Sequence, residues 1–203
     1  MVYNKTSEVK EKLIHRERSI IKAAKEVFAE KGFQKTSIKD IARFAGIATG
    51  TFYLYFKNKE SFFEVLVEEV YQELLMAIKT ERKKVSGTLN KLQISMEVCV
   101  NLCIKERSLA KIMLIQAPNA SPIINTQLSA LQDGLVQLAL EDLNEAVSAG
   151  TIPPQNTHIA ALSLVGGFHN LLLNWLKSSQ PFDLHAATQD LFQHNLYGLL
   201  RVK

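Results

Sequence analysis

Residues Thr36–Lys59 read TSIKDIARFAGIATGTFYLYFKNK, and their spacing predicts two short helices joined by a tight turn. Thr36 or Ser37 is placed to cap the first helix, its hydroxyl accepting an orphan backbone N–H. Ile38, Ile41, Ala42 and Ala45 recur at helical spacing, so one face is apolar while Lys39, Asp40 and Arg43 take the other. Gly46 supplies a left-handed turn, and Ile47 fills the angle between the helices. In the second helix, Thr49 to Tyr55, Phe52 and Phe56 lie four apart and point inward together. Thr49, Gly50, Thr51, Tyr53 and Tyr55 are left on the accessible sides. This is the helix-turn-helix layout, whose second helix fits the DNA major groove.

Small residues at Gly50 and Thr51 let the backbone approach base edges, and the Thr51 methyl suits a thymine. Tyr53, Tyr55, Lys57 and Lys59 suit phosphate oxygens, with Thr36, Ser37 and Lys39 as further contacts at the front of the motif. Two short helices with a Gly turn are common in all-α proteins, and Tyr53 and Tyr55 also read as partly buried aromatics with wet hydroxyls. The charge pattern separates these readings. Residues 1–60 carry 13 Lys+Arg against 7 Asp+Glu, a net of +6, whereas residues 61–203 carry a net of −2. A basic footprint confined to one third of the chain favours a polyanionic partner.

The stretch RSIIKAAKEVFAEKGFQKTSIKDIARFAGIATGTFYLYFKNKESFFEVL, residues 18–66, resembles the N-terminal domain of the tetracycline-repressor (TetR) family of bacterial regulators. The resemblance rests on Phe28, Gly32-Phe33, Thr36, Ile41-Ala42, Ala45-Gly46, Gly50-Thr51, Tyr53, Tyr55-Phe56 and Lys59-Glu60. One departure is Thr49, where many members carry a basic residue, and it bears on the base sequence read. The resemblance implies a ligand-responsive repressor that dimerises through its last two helices and binds a palindromic operator in double-stranded DNA.

Composition sets the frame around that motif. At 47% apolar residues the chain can build a real core, and five Pro with nine Gly are too few for a disordered or fibrous chain. No uninterrupted apolar run reaches about 18 residues, so no membrane partner is expected. MVYNKTSEVKEKLIHRER has no apolar signal segment and reads as a polar arm, frayed or touching phosphate, before a first helix from Arg18 to Lys31. Cys99 and Cys103 lie four apart on one helical face and imply no disulfide framework, which fits a reducing cytoplasm.

The rest of the chain is predicted helical, with no strand signals. Asn58 caps a long fourth helix with a stripe of Phe63, Leu66, Val67, Val70, Leu74 and Ile78. Leu89, Leu92, Met96, Cys99 and Cys103 stripe the next helix, and Leu109 to Gln116 forms a short one stopped by Pro118. A long helix from Ile124 to Ala149 ends at Gly150, and helices at His158–Lys177 and Asp183–Leu200 follow. The expected architecture is all-α, with an N-terminal arm and three-helix DNA-binding domain at residues 1–60. A larger helical domain for effector binding and dimerisation occupies residues 61–203.

The helix at His158–Lys177 is apolar nearly all round, so it needs cover on both sides. Leu162, Val165, Gly166, Leu173 and Leu176, with Leu191 and Leu199 of the last helix, are the candidate homodimer seam. Met96, Cys99, Cys103, Met113, Gln116, His169 and Asn170 are candidate walls of an effector pocket for a small apolar or amphipathic molecule. Met96 and the cysteines read more readily as core packing, and His169 and Asn170 equally as polar groups at the seam or in solvent. The chemistry for an enzyme is not evident. The five His show no ligand spacing with Cys or carboxylates, and no phosphate-binding, nucleophile or zinc motif occurs, so no cofactor or metal is expected. The alternatives to an effector-released repressor are a thiol redox sensor using Cys99 and Cys103, or a regulator that needs no effector.

Overall fold

The computed structural model describes residues 3–116 and 122–200, with side-chain surroundings for residues 11–116 and 122–197. Among these residues the chain is all α-helical. α1 spans Tyr3–Lys31, α2 Ile38–Phe44, α3 Thr49–Tyr53 and α4 Lys59–Arg82. α5 spans Thr88–Lys105 and α6 Arg107–Lys111, which runs into a π-helical turn at Ile112–Gln116. α7 (Pro122–Ser148), α8 (Thr157–Lys177) and α9 (Leu184–Leu200) complete the body.

α1 corrects the expected N-terminal arm: it is helical from Tyr3, well ahead of Arg18. The physical reason is local. Residues 3–31 contain no Gly or Pro and are rich in Lys, Glu and Ala, which carry high helix propensity even without an inward apolar stripe. Among the described side chains, the buried face of the helix begins at Ile20 and continues through Ala24, Val27 and Phe28.

Caps set the next boundaries. The Asp40 amide donates to Ser37 Oγ while the Asp40 carboxylate accepts from the Ser37 amide, a reciprocal box that starts α2. Gly46 ends that unit at φ +64°, a conformation costly for any residue with a Cβ. Asn58 and Ser61 form a second box at the start of α4. Inside the head, six phenylalanines (28, 33, 52, 56, 62 and 63) interlock, with ring centroids as close as 4.5 Å for Phe33–Phe63 and 4.7 Å for Phe56–Phe62. Such pairs contribute about 0.5–1.5 kcal/mol each beyond the area they bury.

This aromatic core runs past residue 60. Phe62, Phe63, Leu66 and Val67 of α4 belong to it, and it is closed by Leu109, Ile112, Met113 and Ile124 from the body. A second core, built on Leu143, Ala161, Phe168, Trp175 and Leu176, fills the space between α5, α7, α8 and α9. The two ends of α4 therefore lie in different cores. Its C-terminal end is fixed by a buried ion pair: Arg82 donates to both Asp142 carboxylate oxygens at 2.7 Å, and also to the Lys91 carbonyl and Ser95 Oγ at 3.2 Å.

The segment expected as one helix from Leu109 to Gln116 is split between α6 and the π turn; its expected stop, Pro118, lies outside the described residues. By length and composition α8 is apolar enough to cross a membrane, at a mean hydropathy of 1.4 in its most apolar window. Its role in the fold is that of a core helix, packed between α7 and α9 with Ala161, Leu164, Phe168, Leu172, Trp175 and Leu176 inward.

Candidate functional site: DNA-binding head and effector cavity

α3 is held by its inward side. Phe52 is fully buried and Phe56 nearly so, which leaves the opposite side of this short helix in the open. Gly50 is exposed, Thr49 and Thr51 are half-buried, and the Tyr53 ring is 53% exposed. Tyr55 is half-buried against the head core, while Lys39 and Lys57 are exposed. Asp40 organises the flank of α2. It pairs with Lys31 at 2.7 Å and Arg43 at 2.8 Å, and Lys31 together with Ser37 holds its carboxyl far below the usual range. Two head cations are thereby committed to a structural anion, and Ser37 spends its hydroxyl on the same carboxylate at 2.6 Å.

Two expected DNA contacts have other occupations. Thr36 is buried, and its hydroxyl donates to the Gly32 carbonyl at 2.8 Å, so the capping role falls to Ser37 alone. Lys59 Nζ donates to the Phe33 carbonyl and sits 4.2 Å from the Phe33 ring centroid. Burial lowers its pKa. Lys59 is a clamp on the turn after α1 rather than a free phosphate ligand.

The Phe33 peptide is held from its other side as well. Its N–H donates to Gln116 Oε1 at 3.2 Å, across 83 residues of sequence. Gln116 ends the π turn, so this side chain ties the body directly to the head and is not a pocket wall. Leu109 and Met113 act on both sides of that tie, since they plug the head core and also line an apolar cavity of the body.

That cavity, of about 380 Å³, lies among α4, α5, α6, α7 and α8, within the range of small-molecule sites. Of the candidate pocket residues it brings together Cys99, Cys103, Met113 and His169. Met96 faces a separate crevice between α5 and α9, and Asn170 is exposed, its side chain accepting from Asn174 at 2.6 Å. Burial lowers the His169 pKa, which favours a neutral ring able both to donate and to accept. Burial pushes the Cys99 thiol up to about 12 and Cys103 to about 11, which works against redox chemistry through thiolates. Tyr71, Gln132 and Lys25 also line the space and were not evident as lining residues. Gly134 makes room for Tyr71: a Cβ there would meet the phenol oxygen at 2.9 Å. The rim carries Lys25, Glu73, Lys105 and Glu106.

The expected dimer seam is only partly an outward face. Leu162 is 45% exposed, and Gly166, Leu173 and Leu191 are half-buried. Leu176 is fully buried in the body core, and Val165 lines the cavity, so both point inward. The physical reason is the rotation of α8: Leu172 and Leu176 share the stripe of Phe168, not that of Leu162. The side chain of Leu199 lies outside the described residues.

Residues 20–66 match the family model described as bacterial regulatory proteins, tetR family. Across 181 residues the chain is 25% identical to the fatty acid metabolism regulator protein of Bacillus subtilis, covering 89% of this chain and 93% of that one. Its fold superposes at TM-score 0.80 on the transcriptional regulator FadR from Bacillus subtilis in complex with stearoyl-CoA, at 25% identity over 89% and 98% of the two chains. The fatty acid degradation regulator FadR from Bacillus halodurans is similar at the same TM-score, with 26% identity over 93% and 97%.

Proposed function

We infer, on the premise that this chain belongs to the TetR family of bacterial transcriptional regulators, that it represses genes from a palindromic operator and releases it on binding a long-chain acyl-CoA. The observation that carries this reading is the cavity: walls of Leu, Met, Phe and Cys, with Lys25 and Lys105 alternating with Glu73 and Glu106 at a polar rim. That arrangement suits an apolar tail with an anionic head. The similar protein from Bacillus subtilis was solved in complex with stearoyl-CoA, which supports the same ligand class here. The relatives are named as regulators, which favours a regulator over an enzyme.

The protein acts in the bacterial cytoplasm as a homodimer, joined along the exposed sides of α8 and α9 around Leu162, Gly166, Leu173 and Leu191. Two recognition helices α3 then address successive major grooves about 34–36 Å apart. Within each head Thr49, Gly50, Thr51, Tyr53, Tyr55 and Lys57 face the duplex, and Ser37 and Lys39 flank it. The functional division follows these roles, a DNA-binding head up to about residue 60 and an effector-binding body beyond it. To weaken operator binding about a hundredfold, the ligand must favour the released geometry by about 2.8 kcal/mol.

The test is fluorescence anisotropy of an operator duplex selected from a random pool, titrated with palmitoyl-CoA and, separately, with free coenzyme A. Release by palmitoyl-CoA but not by coenzyme A is expected. Salt-sensitive duplex binding that ignores palmitoyl-CoA would leave a regulator and remove this effector class.

A further inference from the structure

One wall of the effector cavity belongs to the DNA-binding head. Lys25 is on α1, between Ala24 and Phe28, both fully buried in the head core, so its position reports that of the head. Its side chain is 22% exposed and its ammonium lies 3.2 Å from both carboxylate oxygens of Glu73 on α4. Both partners line the cavity. A charged tie between α1 and α4 is therefore made at the mouth of the site, where a ligand's polar end would arrive.

That tie is easily exchanged. Glu73 is 55% exposed and keeps its hydration when the ammonium leaves, so losing the bridge costs little. Lys25 also sits close enough to Glu69 for the two charges to interact, which places it between two carboxylates. A headgroup carrying several phosphate charges competes for the ammonium better than a solvated carboxylate can. An uncharged ligand of the same length fills the apolar interior and leaves the bridge alone.

We propose that Lys25 is the trigger residue of the regulator: the anionic head of the effector draws its ammonium from Glu73, unties α1 from α4 and so shifts the DNA-binding head. This rests on the effector reading above and adds to it a division of labour. The apolar tail provides affinity, and the charge on the head provides release. Cavity occupancy and operator release thus become separable properties of the ligand, and of the protein.

The experiment measures two quantities on the full-length dimer: palmitoyl-CoA binding by calorimetry, and the ratio of operator affinity without and with saturating palmitoyl-CoA. Wild type, Lys25→Met and, as a charge-loss control on the exposed side of α1, Lys22→Met are compared. Wild type and Lys22→Met should show a ratio of about 100, and Lys25→Met should bind palmitoyl-CoA yet show a ratio under about 5. S-palmitoyl pantetheine, which lacks the phosphates, should bind wild type with the same low ratio. A wild-type ratio in Lys25→Met, or full release by the uncharged thioester, overturns the trigger and leaves the acyl-CoA regulator intact. Failure of palmitoyl-CoA to bind wild type removes both.

Discussion

The phenol of Tyr53 stands beside the exposed backbone of Gly50, while its neighbour Phe52 is fully buried. Removing it should cost contacts to DNA and, within the fold, the edge-to-face contact with the Phe52 ring at 5.8 Å. Tyr53→Ala is expected to weaken operator binding about tenfold, or ~1.4 kcal/mol, in a protein that still folds, with about 0.5–1 kcal/mol lost from stability by thermal melts. Lys59 gives the opposite pattern. Lys59→Ala should leave the salt dependence of operator binding unchanged, because the ammonium is spent on Phe33, and should destabilise the fold by about 1 kcal/mol. A salt slope lower by about one would restore Lys59 to the phosphate contacts. The two cysteines make a third case. Their thiols ionise near 8.5 in an unfolded chain but only at about 11 and about 12 in the fold. The native state therefore holds these protons more tightly. Its advantage is complete below the unfolded value and falls as pH rises between the two. In mildly alkaline buffer, alkylation of Cys99 and Cys103 by iodoacetamide should follow unfolding, and fast labelling of the native protein would contradict their burial.

At the level of elements, α4 is pinned at one end by Arg82 and Asp142 and embedded at the other in the phenylalanine cluster. Truncating either member of the ion pair strands a buried charge, so Arg82→Ala or Asp142→Ala should cost about 3–5 kcal/mol by denaturant melts. Replacing both with Met and Leu should recover most of that loss; no recovery would mean the Lys91 carbonyl and Ser95 hydroxyl matter more than the pair. This anchor was invisible in the sequence, because Arg82 and Asp142 are 60 residues apart and each looks like an ordinary helix-surface charge. The same holds for Gln116 on Phe33 and for Lys25 in the cavity wall. Features set by neighbours along the chain were legible: the Ser37 and Asn58 caps, the turn at Gly46, the inward Phe52 and Phe56. The N-terminal stretch misled because it lacks an apolar stripe, and propensity alone carries it into α1. On α8 the apolar pattern runs all round, so periodicity could not tell Leu162 from Leu176.

For the whole molecule, the proposed pairing of two chains puts the outward strip of α8 at the seam. Leu162→Glu should convert a dimer into a monomer by light scattering while leaving the helical content unchanged, since Leu162 is 45% exposed and outside the body core. A variant that stays dimeric would move the seam elsewhere. The plug of Leu109, Ile112, Met113 and Ile124, two of which also line the cavity, carries a different consequence. A chimaera that grafts this head onto a foreign body would open a hole in the phenylalanine cluster unless those four residues travelled with it. In the proposed regulator, the DNA-reading surface and the ligand cavity therefore cannot be exchanged independently, because the same small wedge supports both.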